Sequence, residues 1–232
     1  MTPHPLEDPL EDLGRTATEE RNVADMIDMD GVLGRLAADR PIFHSEADFQ
    51  HALAWRIQSE YSEAHIRLET RPERGIHLDL LVGLPEGRTA IELKYLAARF
   101  VGVVGVEQYE LPNRGAHAIS RYDFVKDVSR IERCIGSGYA DRGWAVALSN
   151  DQSYWTVGSK ANPVDAAFRL HDGRVLSGLL SWGIDVGAGT TRGREAALAV
   201  SGSYSCKWRG YSNVATPNKQ TTFRYLALSV VP

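Results

Sequence analysis

The sequence predicts a single α/β domain organised around a mixed β-sheet. Two segments carry apolar residues at helical spacing, and three short strand patterns lie between them. The second helical segment leads into a continuous apolar run, which is typical of a strand covered on both faces. Because helices and strands alternate, we expect the helices to pack on the faces of one sheet. A chain of 232 residues is long enough to bury one substantial core.

Charge is divided unevenly along the chain. Residues 1–50 hold 12 acidic and 4 basic side chains, whereas the remainder holds 18 acidic and 22 basic ones. We interpret residues 1–42 as an acidic leader with one short helix, predicted over residues 23–38 and interrupted or ended near Gly31. Residues 43–232 then form the domain itself, whose mildly basic balance is compatible with binding phosphates through a local patch.

A first core helix is predicted to begin at Ser45–Asp48, which has the form of an N-terminal capping box. The helix should run to about Tyr61, with a buried face formed by residues at helical spacing: Phe49, Leu53, Ile57 and Tyr61. Glu46 lies on the inward edge of the first turn, where it either complements the helix dipole or serves a functional site. A first strand is predicted to follow at His65–Glu69.

A β-hairpin is predicted next. Two apolar runs, Ile76–Val82 and Ala90–Leu96, flank a short segment of turn-forming residues. A four-residue loop at Leu84–Gly87 pairs Gly83 with Arg88. This hairpin is the part of the chain around which the remaining elements are arranged.

The hairpin register places Asp79 directly opposite Glu92, on the strand face that also carries Lys94. Two carboxylates facing each other among apolar neighbours repel, and burying them unpaired is unfavourable. A divalent cation resolves the conflict, because two carboxylates and a backbone carbonyl are oxygen ligands that Mg²⁺ accepts. The alternative is a half-exposed hairpin in which Glu92 and Lys94 form an ordinary surface pair.

Asp79, twelve intervening residues and then Glu92-Leu93-Lys94 resemble the D…E-x-K signature of the PD-(D/E)XK nuclease superfamily. The proline that precedes the aspartate in the name of the family is absent here, since His77 and Leu78 stand before Asp79. The resemblance covers the motif strands and, more loosely, the elements between residues 45 and 150.

The resemblance implies a restriction-endonuclease-like fold with catalytic residues Asp79, Glu92 and Lys94. In such a site the two acids hold Mg²⁺, for which Mn²⁺ is a substitute, and Leu93 contributes its backbone carbonyl. The lysine assists the attacking water. Relatives often carry a further acid on the first helix, and this implies Glu46 as an additional metal ligand.

A second amphipathic helix is predicted over Ile119–Ile135. Its buried stripe consists of Phe124, Val128, Ile131 and Ile135. The nuclease resemblance favours Lys126 and Arg130, on another face, as contacts to substrate phosphate. Ion pairing with Asp123 and Asp127 at helical spacing is the equally weighted alternative.

The apolar run Gly143–Ser149 is predicted as the next core strand. The resulting αβββαβ order agrees with the restriction-endonuclease-like core. Beyond residue 151, additional elements are predicted as a helical turn at Val164–Phe168 and strands at Arg174–Trp182, Ala196–Ser201, Ser203–Trp208 and Phe223–Val230. Trp208, Arg209 and Tyr211 either stack on an unpaired base or belong to the core.

A competing motif lies near the N-terminus. The segment from Asp28 to Leu33 resembles the nucleophile loop of haloacid-dehalogenase-like phosphatases, in which a first aspartate attacks phosphorus and a second shuttles a proton. In this chain those aspartates are Asp28 and Asp30. The segment before them carries Asp25, whereas that family places an apolar strand there, so this alternative is the less favoured.

Several other classes of protein are disfavoured. The seven histidines are scattered without the spacing of a zinc site. Cys134 and Cys206 lack a C-x-x-C spacing, which favours free thiols in a reducing cytoplasm. No apolar run approaches the roughly 20 residues that span a bilayer. We therefore expect a cytoplasmic protein without a membrane partner.

Together these observations predict a Mg²⁺-dependent phosphodiesterase that acts on nucleic acid, with DNA favoured over RNA. The competing interpretation is a non-catalytic module on the same fold that binds nucleic acid or protein. Homodimerisation is left open, as are strandedness, sequence specificity and the mode of cleavage.

Overall fold

The structure is a computed structural model, and it describes residues 27–72, 76–113, 115–216 and 219–232. Most of the predicted acidic leader, residues 1–26, lies outside the described residues. The described part contains four helices: α1 (Met29–Asp39), α2 (Glu46–Glu60), α3 (His117–Gly136) and the short α4 (Ala188–Thr191). Single 3₁₀ turns occur at Gln152–Tyr154 and Ala166–Phe168.

Ten strands accompany these helices in the described ranges. They are β1 (His65–Thr70), β2 (Leu78–Leu84), β3 (Gly87–Leu96), β4 (Phe100–Val104), β5 (Glu107–Leu111), β6 (Arg142–Ser149), β7 (Val175–Leu180), β8 (Leu198–Ser205), β9 (Trp208–Thr216) and β10 (Lys219–Val230). The expected strand Ser203–Trp208 is wrong, because Cys206 and Lys207 separate β8 from β9 at this point. The other predicted strands are present with small shifts of their ends.

Six strands form one mixed sheet in the order β1-β2-β3-β6-β10-β9. β3 and β6 run parallel, from the pair Thr89–Arg142 to the pair Leu96–Ser149. The other neighbouring strands are antiparallel. β4 pairs with β5, and β7 pairs with β8, in two separate two-stranded sheets. The predicted α/β class with a mixed sheet is therefore confirmed.

The two faces of the sheet carry different helices. On one face the side chains of Ile91, Leu93 and Tyr95 pack with α1 and α2 in a single buried cluster. On the other face α3 packs against small residues of β3 and β6, including Ala90 and Ala145. The alternation predicted for β3 is confirmed, and it directs Glu92 and Lys94 toward α3.

Gly143 allows α3 to approach the sheet closely. A Cβ at this position would lie 2.2 Å from Cγ2 of Ile131 and 2.7 Å from the carbonyl oxygen of Ala90. Such distances are far below van der Waals contact, so only glycine permits this spacing between helix and sheet.

The register of the β2–β3 hairpin agrees with the sequence. Gly83 pairs with Arg88, and Leu84 pairs with Gly87, so the turn itself is reduced to Pro85 and Glu86. The ladder ends at the pair Leu80–Ile91. Asp79 and Glu92 are the next residues of the two strands beyond this last pair.

The helices begin and end close to the predicted residues. The Ser45 hydroxyl accepts a hydrogen bond from the Asp48 amide at 3.1 Å, which confirms the N-cap of α2. α1 continues through Gly31 without the expected interruption, because the Asp28 side chain caps its first turn. α1 also contributes to the same core as α2, with Met29, Val32, Leu33 and Leu36 buried. The proposed division between residues 42 and 43 stays a prediction.

Both cysteines are buried and free. Among the described helices, none combines the length and apolar character needed to cross a membrane.

Candidate functional site

The site lies where β2 and β3 separate. Beyond the last pair of the ladder, backbone amides of β3 are no longer bonded to β2. Two acidic side chains accept their hydrogen bonds instead. The Leu93 amide donates to Oδ2 of Asp79 at 2.7 Å. The Tyr95 amide donates to Oε2 of Glu46 at 2.8 Å. Both carboxylates are thus held along the same edge of β3, one from the sheet and one from the first turn of α2.

Glu92 occupies the α3 side of β3 and is 1 % exposed. Its Oε1 accepts a hydrogen bond from Nη1 of Arg130 at 2.6 Å, whereas its Oε2 is buried without a hydrogen-bond partner. Burial, reinforced by the charges of Asp127 and Asp79, raises the pKa of Glu92 to about 9. In this arrangement Glu92 is protonated at neutral pH.

Lys94 follows on the same face and is held by a carboxylate from α3. Its Nζ lies 2.7 Å from Oδ2 of Asp127 and donates to the Leu93 carbonyl at 3.1 Å. Burial alone disfavours the ammonium form, but the carboxylates of Asp127 and Glu46 outweigh it and raise the pKa of Lys94. The lysine is therefore a fixed cation at neutral pH.

Arg130 and Asp127 complete the network one helical turn apart on α3. Nη1 of Arg130 lies 3.1 Å from Oδ1 of Asp127 and donates to the His77 carbonyl at 3.0 Å. Burial raises the pKa of Asp127 to about 6, against the opposing charges of Lys94 and Arg130. Three carboxyl groups, those of Asp79, Glu92 and Asp127, thus face two cations.

A cavity of about 310 Å³ opens beside Asp79 on the α2 side. Three carboxylates line it, from Glu46, Glu69 and Asp79, together with Leu93 and Gln50. The Gln50 amide donates both to Oε1 of Glu69 at 2.9 Å and to the Asp79 carbonyl at 2.8 Å. Glu69 adopts a positive φ of 50°, a backbone conformation that a glutamate rarely takes and that is often found at functional sites.

The structure brings together most of the residues that the sequence predicted. Asp79, Glu92, Leu93, Lys94 and Glu46 all lie at this one end of β3. As they stand, the described residues contain no group of three or more His, Cys, Asp or Glu side chains arranged to hold a metal ion. Glu92 faces Arg130, while Asp79 and Glu46 face backbone amides.

The two predicted phosphate contacts differ in their surroundings. Arg130 pairs with Asp127 and with Glu92, so the alternative of ion pairing at helical spacing is confirmed for this residue. Lys126 is half-buried on α3, and within the described residues it takes part in no ion pair. For Lys126 the pairing alternative is wrong, because Asp123 pairs with Arg194 and Asp127 with Lys94 and Arg130.

Sequence reasoning missed Asp127, Glu69 and Gln50. A signal for Asp127 was present, since it lies three residues after Phe124 and four before Ile131. That spacing puts a carboxylate within the buried stripe of α3, where a charge needs a partner. No comparable pattern marked Glu69 or Gln50, because only the packing of α2 on the sheet brings them to Asp79.

The competing motif near the N-terminus has a structural role in this fold. The Asp28 side chain accepts from the Gly31 amide at 3.0 Å as the N-cap of α1. Asp30 pairs with Arg209 and accepts from the Tyr225 hydroxyl. A nucleophile loop of the phosphatase type follows a strand, whereas here both carboxylates belong to the start of a helix.

The aromatic residues considered for base stacking belong to the core. Trp208 and Tyr211 are buried, and each donates a hydrogen bond to a backbone carbonyl, that of Leu170 and that of Arg40 respectively. Their ring faces are therefore not open to a base.

The chain was compared with protein-family models, curated proteins and solved structures, and nothing in any of the three matches it. The interpretation of the site accordingly depends on the residues and the geometry described above.

Proposed function

We propose that this protein is a metal-dependent nuclease that hydrolyses phosphodiester bonds in DNA. The observation that carries the proposal is the convergence of Asp79, Glu92 and Lys94 with Glu46 at the point where β2 and β3 separate. A purely structural role does not explain this network of acids and one ammonium group. It leaves Oε2 of Glu92 buried without a hydrogen-bond partner, which lowers the stability of the fold.

The order of elements supports a restriction-endonuclease-like core. α2 is followed by β1, β2 and β3, then by the separate β4–β5 pair, by α3 and by β6, which lies parallel to β3. The helices α2 and α3 cover opposite faces of the sheet. Apart from the inserted β4–β5 pair, this order is compatible with the αβββαβ arrangement that the resemblance to PD-(D/E)XK nucleases implies, and β10 and β9 extend the sheet beyond β6.

Two features of the site support the proposal of a divalent cation. Oε2 of Glu92 is a buried oxygen without a hydrogen-bond partner, and the three carboxyl groups of the network outnumber its two cations. Binding a cation favours the ionised form of Glu92, and the proton held in its absence is released. Asp79, Glu92, the Leu93 carbonyl and Glu46 would hold Mg²⁺, or Mn²⁺ in its place.

When bound, Mg²⁺ lowers the pKa of a coordinated water and offsets the charge that develops on the phosphate. The chain supplies the remaining parts of the reaction. Lys94 holds an ammonium group beside the Leu93 carbonyl, where it orients the attacking water and stabilises negative charge. Asp127 positions Lys94, and Arg130, which pairs with Glu92 and Asp127, is the group on α3 that would contact a substrate phosphate.

Two alternatives remain distinct from this proposal. A non-catalytic module on the same fold would bind DNA without cleaving it. A phosphatase that uses Asp28 and Asp30 is disfavoured by the helix cap and the ion pair in which these residues take part.

A nicking assay on supercoiled plasmid DNA tests the proposal. We expect cleavage that requires Mg²⁺ or Mn²⁺, is abolished by EDTA, and falls by at least about a hundredfold in Asp79→Asn and Lys94→Met. Glu86→Gln, a change at the exposed turn of the same hairpin, is the matched control and should retain activity. Cleavage that survives in both site variants would contradict the assignment.

Phosphatase activity measured in parallel separates the remaining alternative. Hydrolysis of a phosphomonoester that is lost in Asp28→Asn but kept in Asp79→Asn would favour the phosphatase. Tight DNA binding with no metal-dependent cleavage would favour the non-catalytic module.

A further inference from the structure

A second cavity, distinct from the acidic site, lies in the loop that follows β6. It has a volume of about 180 Å³ and is lined by nine residues. Four of them are basic, Lys160, Arg169, His171 and Arg174, and none is acidic. A cavity of this size is smaller than the pockets that enclose whole small-molecule ligands, and it suits a single ionic group.

The loop is anchored to the N-terminal part of α3. Nη1 of Arg121 lies 2.7 Å from Oδ2 of Asp165, and Nη2 of the same arginine donates to the Ser153 carbonyl at 2.8 Å. Both partners of this ion pair are almost fully buried. The pair therefore fixes the loop on the body of the protein and gives the cavity a defined position.

The basic groups of the cavity retain unused hydrogen-bonding capacity. Nε of Arg174 is buried without a hydrogen-bond partner, and Nη2 of the same guanidinium group makes a long hydrogen bond of 3.4 Å to the Ala167 carbonyl. Arg169 shares Asp165 with Arg121, so two guanidinium groups face one carboxylate. Lys160 is exposed at the rim. An anion would satisfy these donors.

Gly158 contributes to the shape of this cavity. A Cβ at this position would lie 3.0 Å from Nη1 of Arg169, so the absence of a side chain lets the backbone lie against the guanidinium group. Asp172, which follows His171 in the chain, is engaged elsewhere, since it accepts from the Trp208 amide at 2.7 Å and lies 3.4 Å from Arg224.

The cavity lies at the same edge of the sheet as the candidate catalytic site. β3 and β6 are parallel and end together at the pair Leu96–Ser149. Lys94 is two residues before the end of β3, and the loop that forms the cavity leaves the end of β6. We propose that this cavity binds a backbone phosphate of the DNA strand at a position away from the scissile bond. This inference rests on the proposed function of the acidic site.

Binding measured without cleavage tests the inference. Fluorescence anisotropy of a short labelled DNA duplex in EDTA gives the dissociation constant over a series of salt concentrations. In the variant Lys160→Gln/Arg174→Gln we expect affinity to fall roughly three- to tenfold per lost contact, and the salt slope to decrease by about 0.9 for each contact. Arg133→Gln, an exposed arginine in the last turn of α3 at the opposite edge of the sheet, should bind like the parent.

The single variant Lys160→Glu guards against a folding defect, because this side chain is exposed and its reversal should weaken DNA binding without lowering the melting temperature. Unchanged affinity and salt slope in folded variants would overturn the inference. The inference is also overturned if inorganic phosphate raises the melting temperature of the parent but not of the cavity variants, while all of these proteins bind DNA with the same affinity. The cavity would then bind a small phosphorylated molecule.

Failure of this inference is distinguishable from failure of the nuclease proposal. If the cavity variants bind DNA like the parent and the parent protein cleaves plasmid, only the proposed phosphate site is refuted. If these variants bind DNA more weakly but the parent protein does not cleave plasmid, the phosphate site is supported and the nuclease proposal is refuted.

Discussion

Replacing Glu92 by glutamine should stabilise the metal-free protein while abolishing cleavage. Glu92 has an ordinary pKa of 4.5 that burial and the charges of Asp127 and Asp79 raise to about 9. Because the folded state binds a proton that the unfolded state releases above pH 4.5, folding becomes less favourable as pH rises through this window. Glutamine carries no such penalty.

The magnitude follows from the same shift. At pH 7 the uptake of a proton on folding costs at most about 3 kcal/mol, which is 1.36 kcal/mol for each pH unit above the ordinary pKa. Glutamine keeps a side-chain oxygen that can accept from Arg130, but its amide nitrogen brings donors into a buried position that has no partner, and this offsets part of the gain. We therefore expect a net gain of about 1–2 kcal/mol, or a melting temperature higher by roughly 2–8 °C.

Thermal unfolding of the parent, Glu92→Gln and Glu86→Gln in EDTA between pH 5 and pH 9 measures this effect. The advantage of Glu92→Gln should grow with pH, whereas Glu86→Gln should follow the parent. Added Mg²⁺ should stabilise the parent and not Glu92→Gln. A Glu92→Gln protein that melts below the parent at pH 8, with a parallel dependence on pH, would refute the reasoning, because Glu92 would then be ionised and paired.

Three further predictions concern single residues. Asp127→Asn removes the charge beside Lys94, so it should lower the free energy of unfolding at pH 8 by about 2 kcal/mol and should reduce the proposed cleavage. This change in stability is opposite in sign to that of Glu92→Gln. Equal or higher stability in urea denaturation would contradict the prediction. Ser45→Ala removes the α2 cap and should destabilise by about 1 kcal/mol, with Ser45→Asp restoring most of the loss. Gly143→Ala forces a methyl group against Ile131 and the Ala90 carbonyl, and should destabilise by at least about 1–3 kcal/mol; a melting temperature equal to that of the parent would show that α3 can move away freely.

Local patterns were sufficient to predict most elements of the fold. Period-two alternation in β3 and the turn residues before it determined which residues face each other across the hairpin, and the predicted register is confirmed as far as the pair Leu80–Ile91, one step before Asp79 and Glu92. Helical spacing and the Ser45 cap located α2 and α3 in the same way. The strand expected at Ser203–Trp208 was wrong because alternation continues across a turn that carries no glycine, proline or asparagine.

The partners of the site residues could not be predicted in this way. Glu92 could face Asp79 through a shared ion or lie against Arg130. Which of these occurs depends on how closely α3 packs on the sheet, and this distance is determined by the contact between Gly143 of β6 and Ile131 of α3. The involvement of Asp127 depends on the same packing. The basic cavity depends on the Arg121–Asp165 pair, which joins α3 to a loop with no strong pattern of its own.

The sequence by itself therefore determined the helices α2 and α3, the strands β1, β2, β3 and β6, the register of the hairpin and the placement of Glu92 and Lys94 on one face of β3. These features depend on interactions between residues near one another along the chain. Only the tertiary structure decided that Glu92 is buried with an unpartnered oxygen, that Asp127 holds Lys94, and that Glu46 and Glu69 share a cavity with Asp79. These features arise where segments distant in sequence exclude water together, and burial changes the charge state of a carboxyl group in a way that no local pattern reveals.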